Sequence, residues 1–260
     1  MPTKIKILIK AIKVFKNWYI YPLVYFRFIK KDHIIFETST GLKIKLRTHS
    51  TDLIALTNVW FVEEYSKLGF KINDDDVIID IGAHIGLFTL FASQFCKKGT
   101  IFCFEPIKEN YNILLSNLKL NNLGNVKPFN LAVSSSDTNV TLFFSKDEAG
   151  HSMFVDNSKP IRVNSTSLKK ILDGNSIEHC DLIKLDCEGA EYEIIQSLPL
   201  SYFKRISKMI IEYHFVDSKP TLINELTEKL KIASFQISTI PHSSDMGLIY
   251  AINREFPYSC

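Results

Sequence analysis

The chain has 260 residues, 23% of them charged, and a formal net charge of +3. A chain of this length buries most of its unfolded surface without disulfide or metal staples, which excludes the small-scaffold classes. Five cysteines (Cys96, Cys103, Cys180, Cys187 and Cys260) form an odd set with no metal-type spacing, so a reducing, cytoplasmic location is the simplest expectation.

Residues 1–31 carry Lys4, Lys6, Lys10, Lys13, Lys16, Arg27, Lys30 and Lys31 and no acid, which leaves the remainder net acidic. Ile5, Leu8, Ile9, Ile12 and Phe15 follow helical spacing between the lysines. Trp18, Tyr19, Tyr21, Tyr25 and Phe26 add an aromatic cluster broken by Pro22. Two expectations stand side by side. One is a helix lying on an anionic membrane surface with its rings at headgroup depth, which places the protein at the inner face of the membrane. The other is an amphipathic helix docked on its own domain or on a partner, with lysines as its solvated face. The apolar run from Trp18 to Phe26 falls short of the roughly 20 residues of a membrane span, and lysines in the early apolar region argue against a cleaved signal. Residues 33–47 alternate about Ser39-Thr40-Gly41 as a hairpin does. Residues 1–49 therefore form an appendage to a main domain, 50–260. Residues 51–68 are expected to be helical, ending at Gly69.

Residues 76–91, DVIIDIGAHIGLFTLF, organise the rest. Val77, Ile78, Ile79 and Ile81 suit a parallel strand buried on both faces. Asp80 lies near its carboxyl end, Gly82 turns the chain, and Leu87, Leu90 and Phe91 give the following helix an inner stripe. Ligands of open α/β sheets bind at such strand ends. Gly82 and Gly86 are four apart with no glycine between them at 84, which does not match the G-x-G-x-x-G of a pyrophosphate-binding turn and disfavours a dinucleotide. The second strand, 100–104, stops at Glu105-Pro106, where an acid meets ribose hydroxyls. A helix over 107–122 and a third strand at 126–130 continue the alternation of a parallel sheet. Asn130 and Ala132 end that strand where an adenine would sit, although Asn130 equally suits a turn that bonds its own backbone.

Residues 138–166 depart from the alternation. Val140–Phe144 and Ile161–Val163 read as an inserted hairpin around a polar loop with Gly150 and His151. The loop suits a cover for an acceptor pocket, and His151 is either a substrate contact or an ordinary loop residue. Residues 167–173 return to helix. The strand Asp181–Asp186 puts Lys184 and Asp186 on one face. The strand Lys208–Tyr213 aims Glu212 and His214 to one side, so four titratable groups converge. Structural alternatives exist for each: Asp186 could cap a helix starting near Gly189, with Glu188 and Glu191 in its first turn, and Glu212 could pair with Lys184. A helix over Leu222–Leu230 and a strand pair at Phe235–Ile240 and Gly247–Ile252 close the chain.

Five ordered blocks carry a resemblance: DIGAHIG at 80–86, FEP at 104–106, NLAVSSSD at 130–137, IKLDCEGAEYEII at 183–195 and IEYH at 211–214. Over about residues 50–215 the chain resembles the FkbM-type S-adenosylmethionine-dependent methyltransferases of the Rossmann-like class I superfamily. The resemblance implies an α/β fold: a seven-stranded, mostly parallel sheet with its last strand antiparallel and helices on both faces. It also implies donor binding by Asp80, Gly82, Ala83, His84, Gly86, Glu105, Asn130 and Ala132, with His84 standing where the family usually has Asn. O-methylation of a hydroxyl, on a small molecule, a glycan or a lipid-linked saccharide, is the implied reaction. Methyl transfer is an in-line displacement that depends on alignment. His214 with Asp186 or Glu212 is the candidate pair for taking the proton, and Lys184 and His151 complete the set. A divalent ion on Asp186, Glu212 and His214 is compatible with the pattern but not demanded by it. Two rivals remain. A nucleic-acid methyltransferase would use the basic, aromatic amino terminus, but DCEG stands where an amine-methylating D-P-P-Y motif would. The other rival is a donor-binding or membrane-scaffold protein without turnover.

Overall fold

The computed structural model describes residues 4–144, 151–152 and 160–256. The chain opens with α1 (Lys4–Val14) and α2 (Ile20–Tyr25), then an antiparallel hairpin of β1 (His33–Glu37) and β2 (Lys43–Arg47) in the predicted place. Phe15 fastens the hairpin to the segment at 51–68. Its buried ring lies 4.8 Å from Phe36 and 5.7 Å from Phe61.

Residues 51–68 do not make the single helix that their apolar spacing predicts. α3 (Asp52–Thr57) widens into a π-helical turn at Asn58–Val62 and stops at Glu63, whose φ is 52°, well before Gly69. The wider turn shifts the phase of the following side chains. Trp60 and Phe61 stay buried, and Tyr65 is delivered to the core beside Phe88.

The first half of the main sheet alternates β3 (Val77–Ile81), α4 (Leu87–Ser93), β4 (Thr100–Phe104), α5 (Lys108–Leu120) and β5 (Val126–Phe129). The inserted segment comprises β6 (Ala132–Ser134), β7 (Asn139–Phe144), β8 (His151–Ser152) and β9 (Pro160–Ser167). In it β9 pairs antiparallel with β7, as expected, and also parallel with β6. The backbone of His151 pairs with Phe144. Its side chain and the loop around Gly150 lie outside the described residues. The chain continues through α6 (Leu168–Gly174), β10 (Cys180–Leu185), α7 (Glu191–Ser197), α8 (Leu200–Phe203), β11 (Ile206–Tyr213), α9 (Pro220–Ile232), β12 (Phe235–Pro241) and β13 (Gly247–Asn253).

Seven strands run in the order β12-β13-β11-β10-β3-β4-β5, with β13 antiparallel to both neighbours. This is the expected α/β architecture. Its β-branched central strand is buried on both faces. Ile78 joins the cluster under α4, α5 and the hairpin, whereas Ile79 and Ile81 join the cluster under α6, α7 and α9. The chain leaves β3 toward β4 on one side, and β10 lies on the other, so the strand order reverses there and opens a crevice at the carboxyl ends.

The appendage is stitched to this crevice through α5. Asn121 and Asn117 project from it to the free edge of β2. Lys43 N and Lys45 N donate to their side-chain oxygens, each at 2.7 Å, and both amides donate back to the carbonyls of the same residues. Asn117 Nδ2 also donates to Ile85 O at 2.9 Å, so one buried side chain ties the hairpin to the loop after β3.

Candidate active site

Gly82 sits where the loops after β3 and β10 touch. Its φ is +75°, and a Cβ there would fall 1.7 Å from the carbonyl oxygen of Asp186. Only glycine fits both demands. The backbone amides of Gly82 and Ala83 donate to Phe104 O at 3.1 and 2.9 Å, which folds the loop over the end of β4. His84 takes a φ of 53°, a left-handed conformation that Asn and His both tolerate better than most residues. Its Nε2 lies 3.1 Å from Arg47 Nη2, and Arg47 is bound to the buried Asp52 at 2.7 Å. Burial, opposed by Asp52, lowers the His84 pKa to about 4, so the imidazole is neutral and accepts from the guanidinium.

A cavity of about 460 Å³ fills the crevice, within the roughly 300–1,000 Å³ common for small-molecule sites. Its end beside β3 and β4 is walled by Gly82, Ala83, His84, Phe104, Glu105, Ile107 and Ala132. Glu105 is buried at the head of the helix that follows. It accepts from His84 N and Ile107 N, each at 2.8 Å, and burial raises its pKa to about 7. Three other expected donor residues lie behind this wall. Asp80 is fully buried, accepting from Thr89 Oγ1 at 2.7 Å and facing Lys184 Nζ at 3.2 Å. Asn130 donates to Glu105 O and Pro106 O, each at 2.9 Å, so it braces the loop after β4 rather than bonding its own backbone. Gly86, with φ +87°, caps α4 against Leu114. They shape the loops rather than line the cavity.

The opposite end is acidic. Glu64, Tyr65, Asp186, Glu188, Glu212 and His214 line it together with Lys184. Register explains the convergence: Lys184 pairs with Asp80 across β10 and β3, and Asp186 follows one step beyond the ladder. Lys184 Nζ lies 3.2 Å from Asp80, 3.5 Å from Asp186 and 2.8 Å from Gly82 O. Burial opposes its charge, but Asp80 and Asp186 outweigh that and raise its pKa. The expected alternative pairing of Lys184 with Glu212 is not formed; Asp80 and Asp186 take its place because β3, not β11, offers an acid at the matching register.

His214 Nδ1 is 3.0 Å from Oε1 of the fully buried Glu191, whose Oε2 accepts from Gly189 N at 2.8 Å. Its Nε2 lies 3.6 Å from Glu188 and 3.7 Å from Glu212. Burial lowers the His214 pKa, but the Glu191 hydrogen bond and the surrounding acids reverse this and raise it to about 10. At neutral pH it is an imidazolium with no lone pair to accept a proton.

The acids divide the remaining roles. Asp186 resists burial because Lys184 and His214 lower its pKa, and Tyr65 Oη donates to it at 3.2 Å. Glu212 goes the other way, raised by burial and by Asp186. Glu188, at a φ of 52°, has its pKa raised to about 7, mostly by burial. Glu64, 4% exposed, is also raised to about 7 by burial and the charge of Asp186. Among the described residues, Asp186, Glu188 and His214 bring ligand atoms within 4.8 Å of one another. Glu188 thus replaces Glu212 in the set that could bracket a divalent ion. In the sequence Glu188 and Glu191 suit the first turn of a helix, and nothing there marks Glu64 or Tyr65 as part of a site. The EGAE spacing after β10 was the available signal for the two helix-start acids.

Sheet order and crevice are those of the class I, Rossmann-like methyltransferase fold. A model of the methyltransferase FkbM domain matches residues 80–237, more than half of the chain, and the chain belongs to that family of S-adenosylmethionine-dependent enzymes. It is 26% identical over 168 residues to "Methyltransferase 1" of Beauveria bassiana, covering 56% of this chain and 67% of that one. It is 22% identical to the 31-O-demethyl-FK506 methyltransferase FkbM of Streptomyces tacrolimicus, covering 59% of this chain and 71% of that one. Among solved structures, M. jannaschii TYW2 in complex with AdoMet aligns with a TM-score of 0.48 at 17% identity, over 86% of this chain and 85% of that one.

Proposed function

We propose that this protein transfers the methyl group of S-adenosylmethionine to a hydroxyl oxygen of a polyol or glycan, the sugar of a lipid-linked saccharide included. The observation that carries the reading is the set of carboxyl groups, Asp186, Glu188 and Glu212, gathered around the His214 imidazolium at the acceptor end. An ionised carboxyl accepts more than one hydrogen bond and a protonated one also donates, and several in one pocket suit a ring bearing several hydroxyls.

In the transfer, an oxygen lone pair attacks the methyl carbon in line with the C–S bond. The O–C bond forms as the C–S bond breaks, the sulfonium becomes a neutral thioether, and the hydroxyl proton passes to a carboxylate. Glu188, with a pKa of about 7, is matched to that step. Asp186 remains ionised and orients the hydroxyl, while Glu105 takes the ribose of the donor. His214 balances the acids as a cation and is not the base. Lys184 is a positioning residue that holds Gly82 and Asp186 in register. A divalent ion at Asp186, Glu188 and His214 would have to displace the His214 proton.

A further observation supports this reading: the FkbM relative is named for transfer at an oxygen.

The test uses methyl-labelled S-adenosylmethionine with neutral sugars, amino sugars and RNA as acceptors. The expected product is a sugar methyl ether, with Glu188→Gln lowering kcat about a hundredfold or more while donor affinity holds. Label on RNA or on an amine nitrogen would overturn the proposal.

A further inference from the structure

The apolar arc of α1 is wider than the strip its own domain covers. At about 100° per residue, Ile7, Ala11, Val14 and Phe15 share the face turned to the domain, where Ala11 and Phe15 are buried and the other two half-buried. Leu8, Ile12, Ile5 and Ile9 continue the same arc into solvent, exposed by 38, 48, 72 and 47%. Lys13 and Lys6 follow at its outer edge.

A second exposed cluster adjoins the first. Lys4 Nζ lies 5.5 Å from the ring of Tyr25, which brings the amino end of α1 beside the end of α2. There the rings of Tyr25, Phe26 and Phe28 touch in sequence at 5.1 and 6.2 Å, with Phe26 62% and Phe28 71% exposed. Nearby, a groove lined by Ile20, Ile29 and Ile35 carries Lys30, Lys31 and Lys45 on its wall. Soluble surfaces rarely gather this many large apolar side chains without a partner.

We propose that this surface seats in an anionic phospholipid bilayer. Ile5, Ile9, Ile12, Phe26 and Phe28 enter below the phosphates, the lysines stay level with them, and the groove admits one phospholipid headgroup over its aliphatic floor. Charge favours the bilayer over a second copy of this chain. Residues 1–31 hold eight basic residues and no acid, so a two-fold contact through this face would set lysine against lysine.

The experiment is co-sedimentation of the full chain with vesicles of equimolar phosphatidylcholine and phosphatidylglycerol, and with phosphatidylcholine alone. Partition onto the anionic vesicles should be about tenfold stronger or more and should weaken with added salt. Inorganic phosphate at millimolar concentration should not displace the protein. A variant with Ile9→Glu and Phe28→Glu changes only exposed positions, and it should retain S-adenosylhomocysteine binding while losing the vesicles. No binding to anionic vesicles by a folded chain, equal binding to both vesicle types, displacement by phosphate, or a dimer by light scattering with no vesicle binding would each overturn the proposal.

Discussion

Glu105 holds a loop and, in the proposed function, a ligand as well. It already accepts from His84 N, Ile107 N and, at 3.5 Å, Asn110 Nδ2, and a carboxylate has room for about four hydrogen bonds, which leaves capacity for a ribose hydroxyl. With no donor bound its pKa is about 7 because it is buried. Hydroxyls donating to it favour the ionised form and pull that pKa down, so donor binding releases a proton. S-adenosylhomocysteine affinity should therefore tighten as pH rises from about 6 to about 8, as calorimetry at the two values would show; a pH-independent affinity would contradict the assignment. Glu188 gives the matching kinetic expectation. As the general base it must lose its proton, so kcat/KM for the acceptor should rise with pH through about 7 in the parent and lose that inflection in Glu188→Gln. At this scale the sequence was informative about residue type and much less so about charge state. His214 looks like a base in IEYH, and only Glu191, Glu188 and Asp186, brought in from another element, make it a cation.

At the scale of elements, the strands and helices of the donor half follow directly from their residues. A β-branched run, a glycine that must turn left-handed and an acid before proline each act locally, so β3, β4 and α5 fall where periodicity puts them. The segment before them does not, because the π-helical turn at Asn58–Val62 answers to packing against Phe15 and Phe91 rather than to a spacing. Tyr65, just past the left-handed stop at Glu63, reaches Asp186 at 3.2 Å. The asparagine stitching of β2 to α5 is equally invisible in one sequence, since it joins residues 72 apart. Its energetic weight is testable. Asn117→Leu leaves the polar backbone groups of Lys45 and the Ile85 carbonyl without a partner. Unfolding should become easier by about 1–3 kcal/mol, read as a lower denaturant midpoint at unchanged slope. An unchanged midpoint would mean that water replaces the amide without cost.

For the whole molecule, the seven-stranded architecture was legible from the alternation of elements and the family blocks, whereas docking of the amino-terminal segment on its own domain was one of two open readings until Ala11, Phe15, Tyr21 and Val24 were seen in the same core as α4 and α5. The gathering of acids around one crevice also sets the stability of the fold against pH. His214 has a folded pKa of about 10, above its ordinary value of 6.5. Its contribution is therefore complete below about pH 6.5 and is lost as pH rises through about 10. Glu64, Glu105 and Glu188 share that sign over a lower window, from about 4.5 to about 7. His84, lowered to about 4, opposes them but only below about 6.5. The thermal midpoint of the ligand-free protein should thus fall between about pH 7 and about pH 9.5, and a flat or rising midpoint over that range would contradict the imidazolium assignment.

The central claim is that the crevice at the carboxyl ends of the central strands holds the methyl donor through Glu105. Calorimetric titration with S-adenosylhomocysteine, run on the parent and on Glu105→Ala with thermal unfolding of each as a control, tests it most directly. The account predicts that the parent binds and that the folded variant binds about tenfold more weakly or worse, the loss expected for a charged hydrogen bond. A folded parent that does not bind, or a variant that binds as tightly as the parent, would contradict it.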